Sequence, residues 1–266
     1  MTSNADLNPE SIPPQRAAPT SEYPLLESPQ AMQNMLRLIA ENLGRQKFDI
    51  LSLPRIKVLK DGIFQVETAA GMEPAKALNS VITAYRQSRI YWGKPYSGAS
   101  KEPPSCTSTD GFIGVGDPGG ACEKCPFKEF NTARNPDGSL GAGQACKELR
   151  QMLVLLPGQM MPHRLDVPPT SLKNFNKYAF TLVSAGVLYW EAVTRLGLEM
   201  GSSSSGMSVA RVTFALAKRL TADQSRIISP YHEKMAGYLA PMTVDADAYE
   251  ITEGAPGPNN PDDVPF

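Results

Sequence analysis

The spacing of apolar residues divides the chain into segments with a helical period and segments with an extended period. From Ser28, which is followed by proline as at many helix starts, apolar residues recur every three or four positions up to Gly44. The same spacing runs from Thr170 to about Gly186. Residues 221–240 contain two more helix starts and are predicted to form two short helices or one helix kinked at Pro230.

Other segments alternate between apolar and polar residues, which is typical of strands covered on one face. Asp61-Gly62 separates two of these segments and is a signal for a two-residue hairpin turn. The apolar run from Met152 to Leu156 does not alternate and is predicted to continue a helix from Cys146. The predicted strands cover residues 48–60, 62–69, 78–92, 188–198 and 210–216.

The predicted order is three strands, a long excursion that ends in a helix, and two further strands. This is the order of the OB-fold, a five-stranded barrel with a helix between its third and fourth strands. We therefore predict a β-barrel of OB-fold type with flanking helices, an α+β body at residues 28–240. The proline-rich residues 1–27 are predicted to be disordered, and residues 241–266 to form a flexible acidic tail.

All four cysteines lie between Cys106 and Cys146, in what would be an insertion at about residues 100–150. Cys122 and Cys125 are separated by two residues, a spacing that lets both sulfurs reach one tetrahedral ion, and the outer two cysteines can complete the shell. Few apolar residues lie between them, so a metal would have to order the segment. The sequence predicts one structural zinc ion held by Cys106, Cys122, Cys125 and Cys146.

Three alternatives account for these cysteines less well. Two disulfides would suit a secreted chain, but we find no signal-peptide pattern and no apolar stretch long enough to span a membrane. A redox pair at Cys122 and Cys125 would leave the other two cysteines unexplained. A zinc-dependent base deaminase needs a His-x-Glu motif upstream, whereas His163 and His232 both lie downstream.

The formal net charge of −1 hides an uneven distribution along the chain. Residues 28–244 carry 25 basic and 17 acidic side chains, whereas residues 245–266 carry six acidic side chains and no basic one. A basic body predicts a polyanionic partner, and an acidic tail predicts a different partner.

The third predicted strand and its exit, residues 85–96, interleave four aromatic residues with three cations. Aromatic rings that stack on bases, beside cations that meet phosphates, bind a single strand without reading its sequence. Regular alternation assigns Ile82, Ala84, Ile90 and Trp92 to the core. It assigns Tyr85, Arg89 and Tyr91 to an open face, which Arg55 and Lys57 are predicted to share. The predicted DNA-binding residues are Arg55, Lys57, Tyr85, Arg89, Tyr91, Lys94 and Tyr96.

The last five residues, Asp262, Asp263, Val264, Pro265 and Phe266, follow an acidic segment rich in proline and glycine. They resemble the tail of bacterial single-stranded DNA-binding proteins, which ends in a few acidic residues and an Ile-Pro-Phe or similar tripeptide. The resemblance implies that these residues dock host or phage replication, recombination and repair enzymes. In that family the terminal ring and carboxylate enter a basic-rimmed pocket.

The predicted body, an OB barrel with a zinc insertion, is similar in layout to single-stranded DNA-binding proteins of tailed bacteriophages. Some of those proteins hold zinc through one histidine and three cysteines, whereas this chain offers four cysteines with different spacing.

The leading prediction is a sequence-independent single-stranded DNA-binding protein of a phage or mobile element. It would act in the bacterial cytoplasm without chemistry of its own or a membrane partner. A single-strand annealing or recombination-mediator protein is a close alternative. A zinc-dependent nuclease and a zinc-braced protein-interaction module are alternatives of other classes. Against an enzyme, the sequence shows no paired carboxylates with metal spacing and no phosphate-binding glycine loop.

Overall fold

The structure, a computed structural model, describes residues 22–44, 52–93, 103–134, 138–202 and 208–239. Its helices are α1 (Pro29–Leu43), α2 (Leu172–Ser184) and α3 (Ala222–Leu239). Its strands are β1 (Arg55–Val58), β2 (Phe64–Thr68), β3 (Gly71–Ala75), β4 (Ala77–Tyr91), β5 (Cys106–Ser108), β6 (Ile113–Gly116), β7 (Gly120–Ala121), β8 (Cys146–Leu155), β9 (His163–Val167), β10 (Ala192–Ser202) and β11 (Ser208–Arg219).

The eleven strands form one large, open, mixed sheet. Its main order is β3-β2-β1-β9-β8-β4-β5-β6-β7, and the β10–β11 hairpin joins it where β10 pairs with the start of β4. The β1–β9 pair is parallel, and the other ladders between described strands are antiparallel. The sheet does not close, so the prediction of an OB barrel was wrong.

The error arose at the two strands in the middle of the sheet. The run from Cys146, predicted to be helical, is β8, which pairs with β4 from Val81↔Leu155 to Tyr91↔Cys146. The next strand, β9, was not predicted, and all five of its residues are buried. A strand covered on both faces loses the period of two, and periodicity alone cannot distinguish it from a buried helix.

Two apolar clusters cover opposite faces of this sheet. Met152 and Val154 of β8 pack in a cluster with α2 and the β10–β11 hairpin. Leu153 and Leu155, which alternate with them, pack with α3 and with Met35 of α1. We call the first side the α2 face and the second side the α3 face.

A β-bulge changes the alternation in β4 between Ile82 and Ala84. Ile82 and Tyr85 both pack against the α2-face cluster, whereas Val81 and Ala84 belong to the α3-face cluster. Beyond the bulge regular alternation returns, so Arg89 and Tyr91 follow Tyr85 onto the α2 face.

The segments that bury a single stripe match the predictions. Helix α1 ends before Gly44, whose φ of 58° is a conformation that glycine adopts easily. Helix α3 is one helix with Pro230 inside it, and Trp92 packs in a small cluster as predicted. Residues 22–27 differ from the expectation, because Leu25 and its neighbours are buried against α3, whereas residues 1–21 lie outside the described parts. No helix in the described ranges is long and apolar enough to cross a membrane.

Candidate metal centre

Two of the four cysteines lie opposite the same residue of β4, on the strands to either side of it. Tyr91 pairs with Cys106 of β5 on one side and with Cys146 of β8 on the other. Residues directly opposite one another in a sheet project from the same face. The strand register therefore places both cysteines on the α2 face, one on each side of Tyr91.

The other two cysteines lie on a turn that follows the short β6–β7 ladder. Cys122 and Cys125 bound a 3₁₀ turn, and the N–H of Cys122 donates to Phe112 O at 2.8 Å. Gly114 of β6 leaves the space that this arrangement needs, because a Cβ there would lie 2.9 Å from the Cys106 sulfur. The ring of Phe127 stacks on Tyr91 with centroids 4.4 Å apart, which ties the turn to the sheet.

All four thiols line one pocket, together with Arg89, Tyr91 and Lys128 among others. No disulfide links them. Within the described ranges no group of three or more His, Cys, Asp or Glu side chains already has metal-ligand spacing. Binding one ion would therefore require these sulfurs to move closer together. We call this site the thiol pocket.

Burial disfavours the thiolate form of two of the cysteines. Burial raises the pKa of Cys146 to about 11, and the positive charge of Arg89 opposes this rise. Burial also raises the pKa of Cys106, against the effect of a hydrogen bond from the backbone of Gly119. A metal would displace the thiol protons, because thiolates are its ligands.

A chain of mostly buried charges lies beside the thiol pocket. Glu148 accepts from Arg89 Nη2 at 2.7 Å and from Arg150 Nη1 at 2.6 Å. Arg89 Nη1 is buried and has no hydrogen-bond partner within the described residues. A buried donor left without a partner is costly, and a thiolate in the pocket would supply the missing acceptor. The residues present therefore fit a tetrathiolate metal centre, with zinc as the structural ion that such a donor set suits.

The structure separates the predicted DNA-binding residues into two groups. Tyr85, Arg89 and Tyr91 lie on the α2 face. Arg55 and Lys57 lie on the α3 face, because Ile56, which alternates with them, pairs with Leu165 of the α2-face cluster. The structure does not bring the two groups together.

Several of these side chains already have protein partners. The Tyr85 ring meets Phe175 and Tyr189 at centroid distances of 4.9 and 4.8 Å. Arg55 Nη2 lies 3.8 Å from Asp166 Oδ2. The role of the five residues in DNA binding stays a prediction. Lys94, Tyr96 and residues 262–266 lie outside the described parts of the chain.

Two features escaped prediction from the sequence. The Arg89–Glu148–Arg150 chain depends on the pairing of β4 with β8, which a predicted helix at 146–156 concealed. The second feature is Phe180 on the outer side of α2, whose side chain is 66% exposed beside the exposed Lys173 and Lys177. The spacing of four and three residues places these side chains on one stripe, and that spacing was the available signal.

Comparison of the chain with protein-family models, with curated proteins and with solved structures found no match.

Proposed function

We propose that this protein binds single-stranded DNA without reading its sequence and recruits partner enzymes through residues 262–266. It acts in the cytoplasm of a bacterial host, in the replication or recombination of a phage or mobile element. The observation that carries the proposal is the sequence Asp-Asp-Val-Pro-Phe after an acidic segment, attached to a body with a surplus of basic residues. It has no catalytic step of its own.

The distribution of charge within the body supports a polyanionic ligand. Residues 168–219 contain six basic and two acidic side chains, a surplus of four basic ones. This is half of the surplus of eight in residues 28–244. This stretch contains the outer side of α2, where two lysines precede an exposed phenylalanine. Cations bind the phosphates of a single strand, and an aromatic ring stacks on its bases, so this combination suits such a ligand. We therefore propose the outer side of α2 as a DNA-contact surface.

The metal supports this function by bracing the fold. A zinc ion in the thiol pocket would tie the turn at Cys122–Cys125 to strands β5 and β8. Four thiolate ligands leave no position for a reacting water, so the ion is structural.

The test is a titration of fluorescent oligo-dT at several salt concentrations, with a duplex of equal length as the competitor. We expect saturable binding that weakens steeply with salt and prefers the single strand. The Lys173→Glu/Lys177→Glu variant should bind less tightly, and its logarithmic salt slope should fall by about 0.7 for each phosphate that the variant no longer neutralises. Lys57→Glu, on the opposite face of the sheet, tests separately the contact that the sequence predicts there.

Two results would overturn parts of this proposal. Absence of saturable binding at low salt, or equal affinity for duplex and single strand, would reject the function. A full effect of Lys57→Glu with no effect of the α2 variant would move the DNA-contact surface to the α3 face.

A further inference from the structure

Arg89 occupies a fixed position between the sheet and the thiol pocket. It pairs with Glu148 on β8 and with Ser108 on β5. It lies two residues before Tyr91 on the same strand, so its side chain is diagonal to both Cys106 and Cys146 on the α2 face. It lines the thiol pocket together with all four cysteines.

Glu148 holds the guanidinium of Arg89 on one side, and Cys146 lies close to it on the other. Glu148 uses separate oxygens for its two arginines, Oε2 for Arg89 and Oε1 for Arg150. The three side chains are 13%, 14% and 12% exposed, in the order Arg89, Glu148, Arg150. The hydrogen bond to Glu148 uses Nη2 of Arg89. Nη1 is buried and has no hydrogen-bond partner in the described residues.

Charge balance points in the same direction. The arginine–glutamate chain contains two positive groups and one negative group next to the thiol pocket. Four thiolates around one divalent cation carry a formal charge of −2, which the net positive charge of the chain complements. A positive group that was fixed beforehand then gains a partner at little further ordering cost.

We propose that Arg89 is a positioning residue of the metal centre: its Nη1–H donates to the Cys146 thiolate when the four cysteines hold a divalent ion, and Glu148 orients it for this contact. The inference rests on the metal centre proposed above. It assigns Arg89 to the metal rather than to DNA.

The chain supplies a matched control in Arg150. Arg89→Gln and Arg150→Gln each remove one positive charge and one bond to Glu148, but only Arg89 lines the thiol pocket. Zinc affinity of the full-length protein is measured by competition with a chromophoric chelator. We expect Arg89→Gln to weaken zinc binding by about 10- to 100-fold, the usual effect of losing an outer-shell partner. Arg150→Gln should remain close to wild type.

A spectroscopic measurement separates this role from a merely structural one. Cobalt(II) is loaded in place of zinc, and the thiolate-to-cobalt charge-transfer band is recorded. A hydrogen bond to a thiolate stabilises the sulfur lone pairs, so its loss in Arg89→Gln should shift the band to longer wavelength. The band of Arg150→Gln should not move. Unfolding of both metal-free variants in urea shows whether their folds are equally intact.

The possible outcomes are distinct. If wild-type protein binds no stoichiometric zinc or cobalt, the metal centre is rejected and this inference with it. If wild type binds metal but Arg89→Gln and Arg150→Gln weaken it equally, or the band of Arg89→Gln is unchanged, the role of Arg89 alone is rejected. Weaker binding with a shifted band in Arg89→Gln only would support it.

Discussion

Replacing Tyr85 by alanine tests whether this ring belongs to the core or to a DNA surface. Tyr85 makes two edge-to-face contacts, with Phe175 and Tyr189, at centroid distances of 4.9 and 4.8 Å. Each such pair contributes about 0.5–1.5 kcal/mol beyond the area it buries. Loss of the buried part of the ring adds to this. We expect Tyr85→Ala to lower the free energy of unfolding by about 2–4 kcal/mol.

Urea unfolding followed by circular dichroism measures this change, and Tyr85→Phe is the control because it keeps the ring. A double-mutant cycle with Phe175→Leu should give a coupling energy of about 0.5–1.5 kcal/mol, since the two rings are in contact. Oligo-dT affinity is measured on the same variants at a temperature at which all are folded.

One pattern would refute the packing argument. A base-stacking tyrosine would lose about 1–3 kcal/mol of DNA binding on truncation and leave stability unchanged. If Tyr85→Ala shows that pattern, with no coupling to Phe175, then the ring contacts bases rather than stabilising the α2-face cluster.

Four further predictions concern the metal, the sheet and the tail. Cys125→Ser should lower zinc content and thermal stability together, measured by elemental analysis and calorimetry; full metal loss with an unchanged melting temperature would reject a structural role. Met152→Ala and Leu153→Ala should each cost about 2–5 kcal/mol in urea unfolding, because the two sheet faces are both covered, and tolerance of either would contradict a two-sided sheet. Deleting residues 245–266, with their six carboxylates, should tighten oligo-dT binding below about 0.1 M salt and matter less above it, and an effect that persists at high salt would argue against charge competition. Phe266→Ala should leave DNA affinity unchanged but remove bacterial replication or repair enzymes from pull-downs, whereas identical partner sets would make the resemblance of residues 262–266 accidental.

The sequence alone was sufficient to predict an element wherever one side of it is buried and the other is exposed to solvent. Helix α2 and the β10–β11 hairpin each carry a readable period, because burial on one side imposes it on the residues. The cysteine spacing predicted one shared metal site; the four thiols line one pocket, and metal binding there stays a prediction.

The tertiary structure decided what depends on partners distant in sequence. Strands β8 and β9 are covered on both faces, so they show no period, and their place in the sheet follows only from pairing with β4 and β1. The bulge near Thr83 moved Tyr85 onto the face of Ile82, a shift that alternation along a single strand cannot reveal. Cross-strand register alone joined Arg89 to Glu148 beside Cys146, because contacts across a sheet are set by the alignment of two strands and not by either one.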